Sequence, residues 1–364
     1  MGYTERKNII GKIETLRNSK VITYVVTTRP KIQTMMQPID LREIFRHLEQ
    51  IPNDPPQKID LFIYSFGGET TVSWALTNLV REFTEEYGVL VPYYAFSCAT
   101  QVAVGANEIV MCKTGTLGPI DPKVANEFNP ERNGVQIAIS VEDIGGYIAL
   151  LKDKFEMRNE EYLSKLSERL STDIRPLALG NAYRQYIKAR DDARKLLELH
   201  MDPINDKGKI DKIIETLVEK LYSHSHHINR NEAIKMGLNV KKAEEIHNET
   251  DNLAELMWNL YLDYESEMQL LRPYKDQLPQ GGAGTLEIPT KFIESSNLSS
   301  VFIIEQEWVN LNLPAGSKLA NANNQISVFV PPSTILPLVF QGQPVEIGNT
   351  IYEKREDSFW KINR

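Results

Sequence analysis

The sequence predicts an α/β fold that begins with a parallel sheet, continues as long helices and ends in a β-rich segment. In the first third of the chain, short continuous apolar runs alternate with segments of helical period. Continuous apolar runs are typical of strands that are buried on both faces. Strands and helices that alternate at this spacing indicate βαβ units with right-handed crossovers.

Four apolar runs predict the strands of this sheet. They are KVITYVVT (20–27), IDLFIYSF (59–66), VLVPYYAF (89–96) and EIVMC (108–112). Two segments between these runs place their apolar residues on one face of a helix, which predicts amphipathic helices. The two segments are DLREIFRHLEQI (40–51) and VSWALTNLVREF (72–83).

The pattern after these strands is mainly helical. Residues 142–222 predict long amphipathic helices with an interruption at STDIRP (171–176). The segment 226–246 predicts a short helix that ends at Gly237 and is followed by a strand. One more helix is predicted over 252–271.

Shifts in composition predict three parts of the chain. Residues 1–248 form the main α/β domain, and residues 249–285 form a connecting helix and a linker rich in Pro and Gly. Residues 286–364 form a β-rich accessory domain, which we expect to contact a partner protein or the substrate. A chain of 364 residues is long enough for such a division.

Composition and charge exclude several classes of protein. A net charge of −8 argues against nucleic acid or an anionic membrane as the main partner. The two cysteines, Cys98 and Cys112, lie in apolar contexts and indicate a reducing compartment without disulfides. No apolar leader and no run of eighteen apolar residues is present, which predicts a cytoplasmic protein without a membrane span.

Two loops carry the residues that point to chemistry. VPYYAFSCATQVAVGANEIVMC (91–112) places Ser97 where a predicted strand meets a helix of small residues. Serine is also a favoured N-cap, so this position alone has a structural explanation. The free N–H groups at a helix start also stabilise a developing negative charge. YSFGGET (64–70) places Gly67 and Gly68 at the end of another strand, where a ligand can approach main-chain N–H groups closely.

The order and spacing of these loops resemble the Clp protease and crotonase fold. The chain is most similar to the serine dehydrogenase proteinases, which are cytosolic relatives of signal peptide peptidase A. The segment LGPIDP (117–122) is unchanged from that family, and PLALGNAYRQY (176–186) and INRNEAIKMGL (228–238) are similar to it. The resemblance covers roughly residues 5–246.

The resemblance implies a serine peptidase site. Ser97 would be the nucleophile. The oxyanion hole would consist of two main-chain N–H groups, that of Gly68, in the turn that includes Gly67, and that of Cys98. The family has Gly where this chain has Ala99. The resemblance implies a homo-oligomer and neither a metal nor a cofactor.

The general base is the less defined part of the expected site. The Clp protease histidine would fall near Asp121, and the lysine of signal peptide peptidases would fall within 131–143, but neither residue type is present there. Three of the six histidines lie in SHSHH, and relatives carry a histidine at the position of His224. We therefore expect His224 to be the base, with Asp121 or a carbonyl fixing its tautomer. The alternatives are lysines, namely Lys123, Lys152 and Lys154.

Three functions are compatible with these residues. The first is a peptidase that cuts an extended peptide or protein substrate laid near Gly67 and Gly68. The second is a non-catalytic assembly or binding module of the same fold that has lost its base. The third is a crotonase-type acyl-CoA enzyme, which a serine at the helix start disfavours. Covalent labelling of Ser97 distinguishes the first two, and acyl-CoA turnover identifies the third.

Overall fold

The protein is described by a computed structural model. It covers residues 2–52, 58–120, 127–132, 135–139, 141–155, 159–220, 226–279, 282–313, 317–322, 325–330, 334–336, 342–347 and 350–363. The helices are α1 (Tyr3–Arg17), α2 (Asp40–Leu48), α3 (Thr70–Arg81), α4 (Cys98–Val104), α5 (Val141–Asp153), α6 (Glu160–Asp173), α7 (Pro176–Glu198), α8 (Lys207–Glu215), α9 (Arg230–Met236) and α10 (Leu253–Glu267). The strands are β1 (Lys20–Val26), β2 (Ile59–Tyr64), β3 (Tyr87–Val91), β4 (Tyr94–Ala95), β5 (Glu108–Met111), β6 (Thr116–Leu117), β7 (Glu131–Arg132), β8 (Val135–Gln136), β9 (Ile228–Asn229), β10 (Val240–Lys242), β11 (Gly284–Glu294), β12 (Ser299–Asn310), β13 (Lys318–Ala322), β14 (Gln325–Val330), β15 (Thr334–Leu336), β16 (Gln343–Ile347) and β17 (Thr350–Asn363).

A large mixed sheet organises the molecule. Among the described residues, nine strands form it in the order β10-β5-β3-β2-β1-β11-β12-β17-β16. The half from β10 to β1 is parallel, with Lys20 opposite Ile59 at the start of the β1–β2 pair. The other half, from β11 to β16, is antiparallel. The predicted α/β fold with parallel βαβ units is confirmed.

The parallel strands are continuous apolar runs because helices cover both of their faces. All six residues of β2 are buried. Leu61 and Ile63 belong to the core cluster on the side of α2 and α3. Phe62 and Tyr64 belong to the cluster on the side of α1 and α10. This arrangement is the one expected for a strand without a polar face.

The short helix predicted before Gly237 is present as α9. Its N-cap, Asn229, accepts hydrogen bonds from the main-chain N–H groups of Asn231 and Glu232. Gly237 ends the helix with φ +112°, a conformation that favours glycine. Strand β10 follows, as the sequence predicts, and the structure pairs it with β5.

The C-terminal strands, predicted as a β-rich accessory domain over 286–364, are joined to the parallel strands through β11. Strand β11 pairs antiparallel with β1, from Thr23 opposite Glu294 to Val26 opposite Lys291. This pairing covers the edge of β1, which would otherwise expose unpaired main-chain groups. Strand β11 therefore continues the central sheet. Strands β13, β14 and β15 form a separate three-stranded sheet.

A buried ionic cluster reinforces the attachment of β11. The Arg6 guanidinium of α1 lies 2.7 Å from Glu294 of β11 and 2.9 Å from Asp263 of α10. These three side chains are buried. Three elements that are far apart in sequence are thus joined through one cation.

A small sheet of β4, β6 and β9 brings together the segments that carry the candidate site. Strand β6 pairs with both β4 and β9. Ser97 follows β4, the LGPIDP motif begins within β6, and His226 and His227 precede β9. Within the described part of the chain, no helix is long and apolar enough to cross a membrane.

Candidate active site

Ser97 occupies a sharp turn between β4 and α4. Its backbone has φ +52° and ψ −114°, a region that residues other than glycine rarely adopt. The Ser97 side chain makes no capping hydrogen bond to the helix that follows. Ser97 therefore does not serve as a side-chain cap of the helix, which was the structural explanation for a serine at this position. A serine held on such a strained strand-to-helix turn is characteristic of nucleophile elbows.

The turn at Gly67 lies directly against Ser97. Gly67 has φ +107°, and a Cβ added there would lie 2.8 Å from both Ser97 Cβ and Phe96 O. The Gly67 N–H donates to Ser65 Oγ at 2.9 Å, which fixes the entry to the turn. Both the backbone angle and the lack of space require glycine at this position.

Gly68 lies against the main chain of Met36. A Cβ on Gly68 would be 2.2 Å from Met36 O. Met36 donates its N–H to Gly67 O at 3.0 Å and accepts the Glu69 N–H at 3.0 Å. The glycine turn is thus fixed by backbone contacts on its far side.

Two main-chain donors beside Ser97 have no acceptor in the part of the chain that the structure describes. Among the described residues, nothing accepts a hydrogen bond from the N–H of Gly68 or of Cys98. The turn that carries the Gly68 N–H lies against the turn that carries the Cys98 N–H. A Cβ placed on Gly67 would lie only 3.1 Å from the Cys98 nitrogen. Paired free N–H groups next to a hydroxyl form an arrangement that can stabilise an oxyanion.

Cys98 contributes its main chain to this arrangement but not a reactive thiol. Its side chain is buried, and Sγ donates to Glu69 O at 3.3 Å. Burial raises the pKa of the Cys98 thiol to about 12, so the thiol stays neutral. The Cys98 side chain therefore belongs to the hydrophobic core.

Thr100 connects the Ser97 turn to the LGPIDP motif, and sequence reasoning missed it. Thr100 Oγ1 lies 2.7 Å from Ala95 O and accepts the Gly118 N–H at 3.0 Å. A Cβ on Gly118 would lie 3.0 Å from the Phe96 ring. The motif therefore packs against the residue that precedes Ser97.

Aromatic rings surround the entrance to the turn. Phe66 is partly exposed and stacks on Phe96 with centroids 5.7 Å apart. Tyr94 lies 4.9 Å from Phe96, and the His227 ring lies 5.0 Å from it. Tyr94 and Phe96 alternate in the predicted strand VLVPYYAF (89–96), and this alternation is the signal in the sequence for their shared face.

The predicted base and its partner lie outside the described residues. These are His224 and Asp121, together with the alternative Lys123. His226 lies 2.9 Å from Glu232, and His227 packs on Phe96. In the described ranges, no side chain makes a hydrogen bond to the Ser97 hydroxyl.

The remaining lysine alternatives belong to the helical segment. Lys152 lies in the last turn of α5, and Lys154 follows the helix as an exposed residue. Among the described residues, no group of three His, Cys, Asp or Glu side chains could hold a metal ion.

Comparison with known proteins identifies a family for the first part of the chain. Residues 2–144 match the family model described as ClpP-like SDH-type serine proteinase. This match confirms the resemblance to serine dehydrogenase proteinases over the segment that contains Gly67, Gly68 and Ser97.

Similar proteins include two uncharacterized proteins of Methanocaldococcus jannaschii, MJ0137 and MJ1495. Each is 26% identical over 237 residues, which is 57% of this chain and 82% and 80% of the respective relatives. A solved structure, the 1510-N membrane-bound stomatin-specific protease, matches with a TM-score of 0.35 and 15% identity. That alignment covers 61% of this chain and 80% of the other.

Proposed function

We propose that this chain, whose residues 2–144 match the ClpP-like SDH-type serine proteinases, is a serine peptidase with Ser97 as its nucleophile. The observation that carries the proposal is the conformation of Ser97. The residue is held at φ +52°, its hydroxyl does not cap α4, and it lies against a glycine turn whose Gly68 N–H has no acceptor among the described residues. This conformation costs free energy, and strained strand-to-helix turns of this kind hold the nucleophilic serine in other hydrolases.

The proposed reaction proceeds through an acyl-enzyme. Ser97 Oγ attacks the carbonyl carbon of the scissile peptide bond while a base removes the hydroxyl proton. The negative charge that develops on the carbonyl oxygen is stabilised by the N–H groups of Gly68 and Cys98. The C–N bond then breaks, the amine leaves with the proton, and water hydrolyses the ester on Ser97.

His224 is the proposed general base, with Asp121 as the partner that orients it. Serine is a poor nucleophile without a base, and a histidine titrates in the physiological range. The support for His224 is its position before β9, which pairs with β6 close to the Ser97 turn. A peptide or protein chain in extended form is the proposed substrate, because the glycine turn offers main-chain contacts.

Replacement of the nucleophile tests the proposal. Ser97→Ala is expected to lower the turnover of a peptide substrate by a factor of about ten thousand without unfolding the protein. Ser171→Ala, at an exposed serine of α6, is the matched control and should retain wild-type turnover. Wild-type turnover by the Ser97→Ala protein would contradict the serine peptidase function.

A non-catalytic assembly module is the second candidate. The observation that favours it is that none of the described residues acts as a base toward Ser97. A scaffold of this kind would bind partners through the same surface but would form no covalent adduct with a fluorophosphonate. Reactivity of Ser97 therefore separates the two functions.

A further inference from the structure

The glycine turn that supplies the Gly68 N–H depends on the position of Met36. Met36 makes a hydrogen bond on either side of Gly68, to Gly67 O and from the Glu69 N–H, each at 3.0 Å. Gly68 packs so closely against the Met36 main chain that no side chain fits between them. A Cβ placed on Gly68 would lie 2.2 Å from Met36 O. A displacement of Met36 would therefore displace Gly68.

Asp40, at the start of α2, fixes the segment that follows Met36. One of its carboxylate oxygens accepts the Gln37 N–H at 2.9 Å and a hydrogen bond from the Tyr24 hydroxyl. The Asp40 N–H in turn donates to Gln37 O at 3.0 Å. The carboxylate thus holds the backbone one residue after Met36.

The positive charge that balances Asp40 comes from β11. Lys291 Nζ lies 2.8 Å from both carboxylate oxygens of Asp40 and donates to Gln37 Oε1 at 2.9 Å. The Lys291 and Asp40 side chains are both 0% exposed. Glu69, the residue after Gly68, is a second acidic group that acts on Lys291 electrostatically.

A fully buried ion pair of this kind is sensitive to the loss of either partner. Removal of Lys291 alone would leave the Asp40 carboxylate buried without a countercharge, a strongly unfavourable state. The structure would respond by moving Asp40 toward water. Such a movement would change the Gln37 and Met36 backbone that supports the glycine turn.

We propose that Lys291 is a positioning residue of the peptidase site, because through Asp40 and Met36 it fixes the turn that carries the Gly68 N–H. The inference rests on the proposed function for its catalytic consequence. It extends the site to a strand that lies outside residues 2–144, the range of the family match. The C-terminal segment would then be part of the catalytic machinery.

Amide hydrogen exchange tests the structural part of this proposal. The single variant Lys291→Met risks unfolding, so the double variant Lys291→Met/Asp40→Asn, which removes both charges, is measured beside it. We expect faster exchange of the Met36 and Glu69 amides in the double variant than in the wild type, because the Lys291 hydrogen bonds to Gln37 Oε1 and to residue 40 are lost. Glu294→Gln is the matched control, because Glu294 belongs to a buried ion pair on the same strand that does not contact the glycine turn. This control should keep wild-type exchange at both amides.

The rate of fluorophosphonate labelling at Ser97 tests the catalytic part. Small displacements of a catalytic group cost up to about a hundredfold in rate, so the double variant should label ten- to a hundredfold more slowly. Its KM for a peptide should change little, and Glu294→Gln should label at the wild-type rate. A double variant with wild-type exchange and wild-type labelling would overturn the proposal. A wild-type protein that is not labelled would contradict the proposed function instead, and the exchange data would still decide whether Lys291 holds the turn.

Discussion

Ser97 is held in a backbone conformation that costs free energy. A residue other than glycine in a sparsely populated region is destabilised by about 1–3 kcal/mol. The Ser97 hydroxyl does not recover this cost by capping α4. The surrounding contacts, including the Gly67 turn and the Thr100 side chain, over-determine the conformation. Such a site is what a positioned nucleophile requires.

The identity of the base gives the first prediction at the residue scale. We expect His224→Ala to lower turnover far more than His226→Ala or His227→Ala. His226 is already engaged by Glu232 at 2.9 Å, and His227 packs on the Phe96 ring, so neither ring is committed to Ser97. Turnover of one peptide substrate by the three variants is the measurement.

The contrary outcome of that experiment is equally specific. A silent His224→Ala variant, together with an essential lysine, would assign the role of base to a lysine. The lysines to be replaced are Lys123, Lys152 and Lys154.

The sequence predicted the parts of the site that are local in the chain. Ser97 and the pair Gly67 and Gly68 were identified because each lies where an apolar run meets a helix. Lys291 was not, because its partner Asp40 is 251 positions away and nothing local distinguishes a buried lysine from an exposed one. Long-range ion pairs follow from the fold and leave no periodic signal.

Helix α2 shows how the C-terminal segment becomes part of the core. His47 is fully buried, with Nδ1 3.0 Å from Ser295 Oγ and Nε2 3.2 Å from Ser300 Oγ. The two serines lie at the junction of β11 and β12. The sequence predicted α2 from its apolar face, but the polar contacts that attach it to β11 and β12 could not be predicted from periodicity.

His47 makes the stability of the protein depend on pH. Burial lowers the pKa of His47 from 6.5 to about 3, so the folded protein favours the neutral ring. This contribution to stability is complete above pH 6.5, the value for the unfolded chain, and is lost as the pH falls toward 3. Between pH 6.5 and pH 5 the free energy of unfolding should fall by about 2 kcal/mol from this group alone.

Urea unfolding at pH 7 and pH 5 measures this effect. The variant His47→Asn lacks the titrating ring, so its free energy of unfolding should fall less over this range than that of the wild type. An equal decrease in both proteins would show that His47 does not carry the pH dependence.

The helical segment in the middle of the chain exposes many large apolar side chains. These include Tyr147 (43%), Leu150 (46%), Phe155 (63%), Tyr162 (47%), Leu177 (63%), Tyr183 (58%) and Ile187 (46%). Many large apolar side chains exposed within one segment of the chain are typical of interfaces. We therefore propose a homo-oligomer. A partner protein that binds the C-terminal β segment remains a prediction.

Light scattering and truncation test this organisation. The full chain is expected to scatter as an oligomer, and a monomer would contradict the proposed assembly.

A chain that ends at Tyr274 lacks β11, so Asp40 and Arg6 would lose buried partners. We expect this truncated protein to be unfolded or aggregated by circular dichroism and light scattering. A folded truncated protein would show instead that residues 286–364 form an accessory domain, as the sequence predicts.

If Ser97 is an activated nucleophile, a fluorophosphonate will form its covalent adduct on this residue. The protein is treated with a fluorophosphonate, digested and analysed by mass spectrometry, with Ser97→Ala as the control. We predict a single phosphonyl adduct on Ser97 in the wild type and no adduct in the Ser97→Ala protein. An unmodified Ser97 in the folded wild-type protein, or an adduct that persists in Ser97→Ala, would contradict the claim.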